Sequence, residues 1–305
     1  MKNIFYILLS VTLLFSCQKE IEFDLPAVEQ TIVIEATVEN GFPPRVFLSK
    51  SQGYFDPYSI ASLENMFISD AEVFLSDGTT NFELTPFAID SGGVEFTVYT
   101  NFLAIGEFGK NYTLSVYHQG DTATAKAQIP HPVEIDSLWF SASEAYDSLG
   151  LIWANFEDPD TVGNCYRWIA KRINSYRYNY DAPFDKVMGT PKDNRFLPPI
   201  GSSTDDKLFN GLKFDFVLPR GEDGVLEGPD DEGVEEAFFK RGDTVVIKST
   251  STTYPIYLYV RAMENAAVSN GSIFSSSGNL PYNVEGDGIG MFYGYAATYD
   301  TIICE

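Results

Sequence analysis

The sequence predicts an all-β protein built from two β-sandwich units of the immunoglobulin-like or fibronectin-like kind, the second carrying a long irregular insertion. Aromatic residues make up 15% of the 305 residues, mainly 24 Phe and 18 Tyr, and such residues favour strands. Short β-branched runs recur between turn signals, as they do in sandwiches. Helical segments do not alternate with the predicted strands, which argues against a parallel α/β sheet.

The first unit is predicted over residues 31–130, ending at Pro130-His131-Pro132. Thr31–Val38 is a β-branched strand, and the turn residues Asn40-Gly41 separate it from a second strand. Alternating apolar residues and hairpin turns such as Asp77-Gly78 predict the remaining strands. These strands are 45–49, 71–76, 81–84, 94–99, 111–117 and 122–129. The polar and aromatic loop 52–66 is a candidate contact surface because loops of this length are commonly functional.

The second unit is predicted over residues 133–305, with an insertion at about 181–240. Its strands are expected at 134–139, 149–156 and 165–180. Two late apolar segments, 244–248 and 256–263, are predicted to form a further pair of strands.

A lipoprotein leader is predicted before the first unit. Lys2 precedes an apolar run that ends in Leu14-Phe15-Ser16-Cys17, so residues 1–16 form a signal peptide. Cys17 is then the lipidated first residue, and residues 17–30 form a tether. The acidic stretch after Gln18 resembles the surface-export signal of Bacteroidota lipoproteins. We therefore expect an outer-membrane protein that is held by its lipid and faces the cell exterior.

Charge and composition restrict the partners. The 43 acidic and 20 basic residues give a formal net charge of −23, which disfavours nucleic acid as a partner. Asp230, Asp231 and Glu232 belong to an acidic cluster and are weak metal candidates. The residue order of a calcium loop is missing, so a solvated loop is the favoured interpretation and no metal or other cofactor is expected.

Two cysteines remain after lipidation of Cys17. In an exported protein Cys165 and Cys304 either form a disulfide or stay reduced and buried. The disulfide is slightly favoured, although sequence gives no distance between the two thiols.

Few residues of the sequence suggest catalysis. His118 and His131 are the only histidines, and surface or linker positions are expected for both. No Gly-x-Ser-x-Gly elbow lies beside either histidine, which disfavours a triad hydrolase. Paired carboxylates leave a glycan-degrading enzyme as an alternative.

A recognition patch is predicted where basic and aromatic residues interleave. Arginine and tyrosine together favour protein contacts and stacking on sugars. The patch comprises Arg167, Arg172, Tyr176, Arg177 and Tyr178.

The segment Asn283–Tyr295, with spaced glycines followed by aromatic residues, is the most distinctive motif after the leader. Together with Asp158-Pro159 and Cys165-Tyr166-Arg167, it resembles a Bacteroidota lipoprotein family catalogued as domain of unknown function 4249. Members of that family are commonly encoded near TonB-dependent outer-membrane receptors, and no catalytic residues can be carried over from it.

The expected function is therefore that of a non-catalytic binding or accessory protein. The resemblance implies a TonB-dependent receptor barrel as its partner, in nutrient capture or uptake. The alternatives are the carboxylate-dependent enzyme and an adhesin or structural surface protein. In the glycine motif itself, we expect a tight turn or bulge before a last aromatic strand.

Overall fold

The computed structural model describes residues 30–53, 59, 63, 65–91, 94–145, 148–173, 195–221, 238–269 and 280–305. Almost all of them belong to one unit, Thr31–Ser51 with Pro57–Glu305. The other unit, Met1–Gln30 with Gln52–Asp56, contributes only residues 30, 52 and 53 to the described part. Within these ranges, no helix is long and apolar enough to cross a membrane.

The seven strands predicted before residue 130 are all present. In β2, β3 and β6 the alternating burial follows from the alternating apolar residues that predicted these strands. The strands are β1 (Ile32–Glu39), β2 (Arg45–Lys50), β3 (Glu72–Ser76), β4 (Asn81–Ser91), β5 (Val94–Thr100), β6 (Asn111–His118) and β7 (Asp121–Gln128).

The described residues after 134 contain nine further strands and one long helix. The strands are β8 (Ile135–Ala142), β9 (Leu149–Glu157), β10 (Cys165–Arg172), β11 (Ser203–Asp205), β12 (Lys213–Leu218), β13 (Phe239–Lys240), β14 (Thr244–Thr252), β15 (Val284–Gly286) and β16 (Gly288–Ile303). The helix, α1, spans Tyr254–Ser269.

Helix α1 corrects the prediction of a strand at 256–263. Pro255 lies in the first turn, where a missing amide hydrogen costs nothing. Ile256 and Val260 are four residues apart on one helical face, and both are buried against Met291 of β16. The aromatic and β-branched composition suggested a strand, but the burial follows the helical period.

The strands form the predicted all-β sandwich architecture with two large hydrophobic cores, beside the small cluster that α1 forms with β16. One sheet has twelve strands in the order β11-β10-β14-β16-β1-β2-β5-β4-β3-β6-β7-β15, and a second sheet contains β8, β9, β12 and β13. The first core lies among β1 to β7, and the second lies between the two sheets around Phe156 and Trp168.

Strand β16 belongs to both cores. Its residues 288–295 pair in parallel with β1, and its residues 296–303 pair antiparallel with β14. Phe292 and Ala296 are buried in the first core, whereas Ile302 packs against the second. The domain boundary at 130–133 stays a prediction, but the first core takes residues from beyond it.

The glycine motif allows β16 to approach its neighbours closely. Gly290 has a φ of +123°, and a Cβ there would lie 2.0 Å from the carbonyl oxygen of Ile34. Gly286 has a φ of +98°, and a Cβ there would lie 2.2 Å from the carbonyl oxygen of Thr122. Only glycine fits such backbone conformations and contacts, so the motif has the structural role that the sequence suggested.

Two asparagines hold β16 in place where one of its edges has no paired strand. Asn283 donates from Nδ2 to the Phe292 carbonyl (2.7 Å) and accepts from the Phe292 amide (2.9 Å). Asn40 accepts from the Ala297 amide at 2.6 Å and donates to the Ala297 carbonyl at 3.3 Å. Each side-chain amide thus substitutes for a strand backbone and satisfies a donor and an acceptor that would otherwise be unpaired.

Candidate functional site

The recognition patch predicted around β10 does not form from the two arginines that the structure describes. Side chains on a strand alternate between its faces, and Arg167 and Arg172 are five positions apart. Arg167 is on the outer face, where its Nε donates to Ser202 Oγ at 3.0 Å. Arg172 is buried and pairs with Asp243 at 3.4 Å. Tyr176, Arg177 and Tyr178 lie outside the described residues.

The predicted disulfide is wrong, and the alternative of two buried thiols holds. Cys165 and Cys304 are both free and buried. Cys165 pairs with Thr252 at the end of β14, while the Cys304 amide donates to the Asp243 carbonyl just before β14 begins. The nine-residue length of β14, about 30 Å, therefore separates the two thiols. Burial raises the pKa of each thiol to about 12.

The histidines occupy different environments. His118 lies at the end of β6 as predicted, but it is buried rather than at the surface, and its Nε2 is 3.0 Å from Asp70 Oδ1. His131 is in the linker and packs against Phe108 with 5.4 Å between ring centroids. Neither contact places a nucleophile beside an imidazole.

Cys17 and the candidates Asp230, Asp231 and Glu232 lie outside the described residues. Across the described ranges, no three His, Cys, Asp or Glu side chains converge in a metal-binding arrangement.

A buried polar network on the outer face of the sheet was not predicted. Lys248 of β14 donates from Nζ to Glu39 Oε2 at 2.8 Å, and both side chains are less than one-tenth exposed. The hydroxyls of Tyr295 and Tyr299 also donate to the Glu39 carboxylate. Arg45 lies 4.0 Å from the same carboxylate and donates to the Tyr295 hydroxyl.

Burial shifts the titration of this network. Desolvation lowers the pKa of Lys248, although the charge of Glu39 and their hydrogen bond act in the opposite direction. Desolvation and then the neighbouring Glu39 raise the pKa of Tyr295 and Tyr299. Because each polar group of the network has a partner, we assign it the role of joining β1, β14 and β16.

A second unpredicted feature is an exposed apolar surface on the first sandwich, which we call the apolar loop surface. Phe102, Leu103, Ile105 and Phe108 lie in the connection between β5 and β6, and Phe87 of β4 packs edge-on against Phe102 at 5.7 Å. Phe102 is 67% exposed and Leu103 is 82% exposed. Large apolar side chains grouped in this way mark interaction sites.

The loop is held firmly against the body of the protein. Gly106 accepts from the Gly41 amide at 2.8 Å and donates to the Phe42 carbonyl at 3.0 Å. Ala104 is buried, and Asn101 Nδ2 donates to the Glu83 carbonyl at 2.8 Å. The apolar side chains are therefore presented in a fixed arrangement. The available sequence signal was the apolar run 102–105 inside a connection where polar residues are usual.

The fold and this surface define an all-β protein with a preformed apolar contact loop. The model of the family described as Domain of unknown function (DUF4249) matches residues 18–301, and the chain belongs to that family. No curated protein matches the chain.

Proposed function

We propose that this protein is a lipid-anchored accessory protein of the outer cell surface that binds a TonB-dependent receptor through its apolar loop surface. The observation that carries the proposal is the exposure of Phe102 and Leu103 on a loop fixed by backbone hydrogen bonds. A fixed loop loses little conformational entropy on binding, so its apolar side chains contribute most of their burial energy to the complex.

The position of the surface supports a protein partner rather than the bilayer. The tether joins the fold just before Ile32 at the start of β1, while Asn40, which follows β1, bridges to Gly106 in the loop. An eight-residue strand, about 26 Å long, lies between these points. The chain therefore enters the fold at the opposite end of β1 from the loop, and in the proposed arrangement the loop meets the outer loops of a barrel.

The charge of the chain is consistent with this choice. At −23 the protein is repelled by an anionic membrane surface, whereas a receptor loop can offer apolar and basic side chains together. Beside the surface, Glu107 is exposed and is bridged by Lys110 at 2.8 Å. The surface thus has an apolar centre and a charged rim, the arrangement typical of protein interfaces.

Co-purification from detergent-solubilised outer membranes tests the proposal. The wild-type chain should retain a receptor barrel, and Phe102→Ser with Leu103→Ser should lose it without a change in the unfolding midpoint. Leu208→Ser is the matched control, because Leu208 is 92% exposed but lies far along the chain in the turn Asp206–Leu208. Recovery of the wild-type chain without any barrel, or equal retention by all three proteins, would contradict the proposal.

A further inference from the structure

A cavity of about 340 Å³ opens beside β7 and β15, at the end of the large sheet. Its lining consists of residues 124–126 of β7 and of residues 282–285, which lead into β15 and form most of it. Small-molecule sites in proteins commonly have volumes of about 300–1,000 Å³. The cavity therefore suits one small ligand.

Three polar side chains of the lining lie on the solvent side of the sheet. Ala125 and Val284 are buried in the first core, so the residues that alternate with them face outward. These outward residues are Thr124, Lys126 and Glu285. Glu285 is the cross-strand partner of Thr124, which places Lys126 diagonally opposite Glu285 at about 7–8 Å.

The two charged groups of the lining are not paired. The side chains of Lys126 and Glu285 form no ion pair or hydrogen bond with each other or with any other described residue. Both residues are exposed in the strands that carry them. An ammonium group and a carboxylate on one face of the sheet therefore flank the same cavity. This arrangement is complementary to a ligand that carries one charge of each sign.

Tyr282 supplies an aromatic wall to the cavity. Its side chain is 69% exposed, and the backbone beside it is fixed by the next residue, Asn283. The Asn283 amide donates to the Gly290 carbonyl at 3.2 Å, and its Nδ2 donates to the Lys126 carbonyl at 3.0 Å. These bonds anchor the segment to both β16 and β7. The aromatic ring gives an apolar part of a ligand a surface on which to pack.

We propose that this cavity binds a free α-amino acid with an apolar or aromatic side chain. Lys126 Nζ donates to the ligand carboxylate, the ligand ammonium group donates to the Glu285 carboxylate, and the ligand side chain packs on Tyr282. The two charged groups of an α-amino acid are attached to the same carbon, so a diagonal pair of side chains on neighbouring strands can hold both. The site shares no residue with the apolar loop surface and requires no receptor.

Three probes of similar size test whether both charges are recognised. L-phenylalanine carries an ammonium group and a carboxylate, phenethylamine lacks the carboxylate, and 3-phenylpropanoate lacks the ammonium group. Titrations of the intact chain followed by NMR give the three dissociation constants. We expect phenylalanine to bind about fivefold more tightly than either analogue, because each lost contact is an exposed ion pair.

Variants of the charged residues assign each contact. Lys126→Met should bind phenylalanine no better than phenethylamine, and Glu285→Gln should bind it no better than 3-phenylpropanoate. Lys126→Glu combined with Glu285→Lys should recover binding, because the ligand can reverse its orientation between the exchanged charges. Lys213→Met is the matched control, since Lys213 is an exposed lysine of the second sandwich and should not affect phenylalanine binding.

Several results would overturn the proposal. Lys126 and Glu285 are exposed, so the variants should keep the wild-type unfolding midpoint, and a change in affinity then reports on the cavity. Equal affinity of the wild-type chain for all three probes, or no binding of phenylalanine, would contradict recognition of both charges. Saturable binding of glucose in place of phenylalanine would show that the cavity is a site for neutral sugars.

Discussion

Lys248 and Glu39 form an ion pair that fixes β14 to β1 across the strand between them. Their atoms are 2.8 Å apart although the residues are 209 positions apart in the sequence. Both side chains are buried, so neither charge is solvated by water in the folded protein. The pair sits where β16 passes from one sandwich to the other.

Removing one partner of this pair should be costly. Lys248→Met leaves the buried Glu39 carboxylate with two tyrosine hydroxyls and with Arg45 at 4.0 Å, and it should lower the free energy of unfolding by about 3–5 kcal/mol. Urea denaturation at neutral pH measures this change. Lys213→Met is the control, because its solvent-exposed pair with Asp136 should contribute little to stability.

The double variant Glu39→Gln with Lys248→Met tests the interpretation further. Without the buried carboxylate charge, more than half of the lost stability should return. Equal losses from the single and double variants would show that packing of the lysine stem, and not the charge, is responsible.

The close strand approach at the glycine motif predicts different stability losses for two further variants. Gly290→Ala combines a positive φ with a contact of 2.0 Å to the Ile34 carbonyl, so it should cost roughly 3 kcal/mol or more. Gly78→Ala has a φ of +88° but nothing within 4 Å of the added carbon, and should cost only about 1 kcal/mol. Thermal denaturation compares the two, and similar losses would argue against close strand approach as the reason for glycine at 290.

The buried thiols predict a pH dependence of stability. In the unfolded chain a thiol loses its proton near 9.0, whereas burial raises the pKa of Cys165 and Cys304 to about 12. Their contribution is complete below pH 9 and is lost as the pH rises from 9 towards 12, because the unfolded chain then binds fewer protons. Each thiol should add about 1.4 kcal/mol per pH unit to this decline.

The test is to measure urea midpoints between pH 9 and pH 12 for the wild-type chain and for the double variant Cys165→Ala with Cys304→Ala. Tyrosines with a raised pKa, such as Tyr295, contribute equally to both proteins above pH 10. The variant should therefore show the shallower decline, and identical slopes would count against buried, protonated thiols.

Chemical labelling tests whether Cys165 and Cys304 are free thiols. In a Cys17→Ser chain without reductant, iodoacetamide should modify neither thiol in the native state, because both are buried and protonated. After denaturation in the same buffer, mass spectrometry should find both thiols modified. If the two thiols stay unmodified after denaturation as well, they are joined in a disulfide, which would contradict the free thiols described here.

The strands could be predicted from sequence because their burial alternates locally, as in β6 and β7. The strand predicted at 256–263 was wrong. Ile256, Tyr257 and Val260 are residue types that favour strands, but their spacing places them on one face of a helix. The buried ion pair and the apolar loop surface could not be predicted from the sequence, for a different reason. Glu39 and Lys248 meet only through sheet pairing, and the exposure of Phe102 depends on where Gly106 is held.

The double role of β16 sets an order of events for a growing chain. β1 to β7 emerge first, yet their core lacks Phe292 and Ala296 until almost the whole polypeptide is available. Domains of most multidomain proteins fold one after another as they are made. Here residues of β16 complete the first core, so the N-terminal strands bury their full core only after the C-terminal strand has been made.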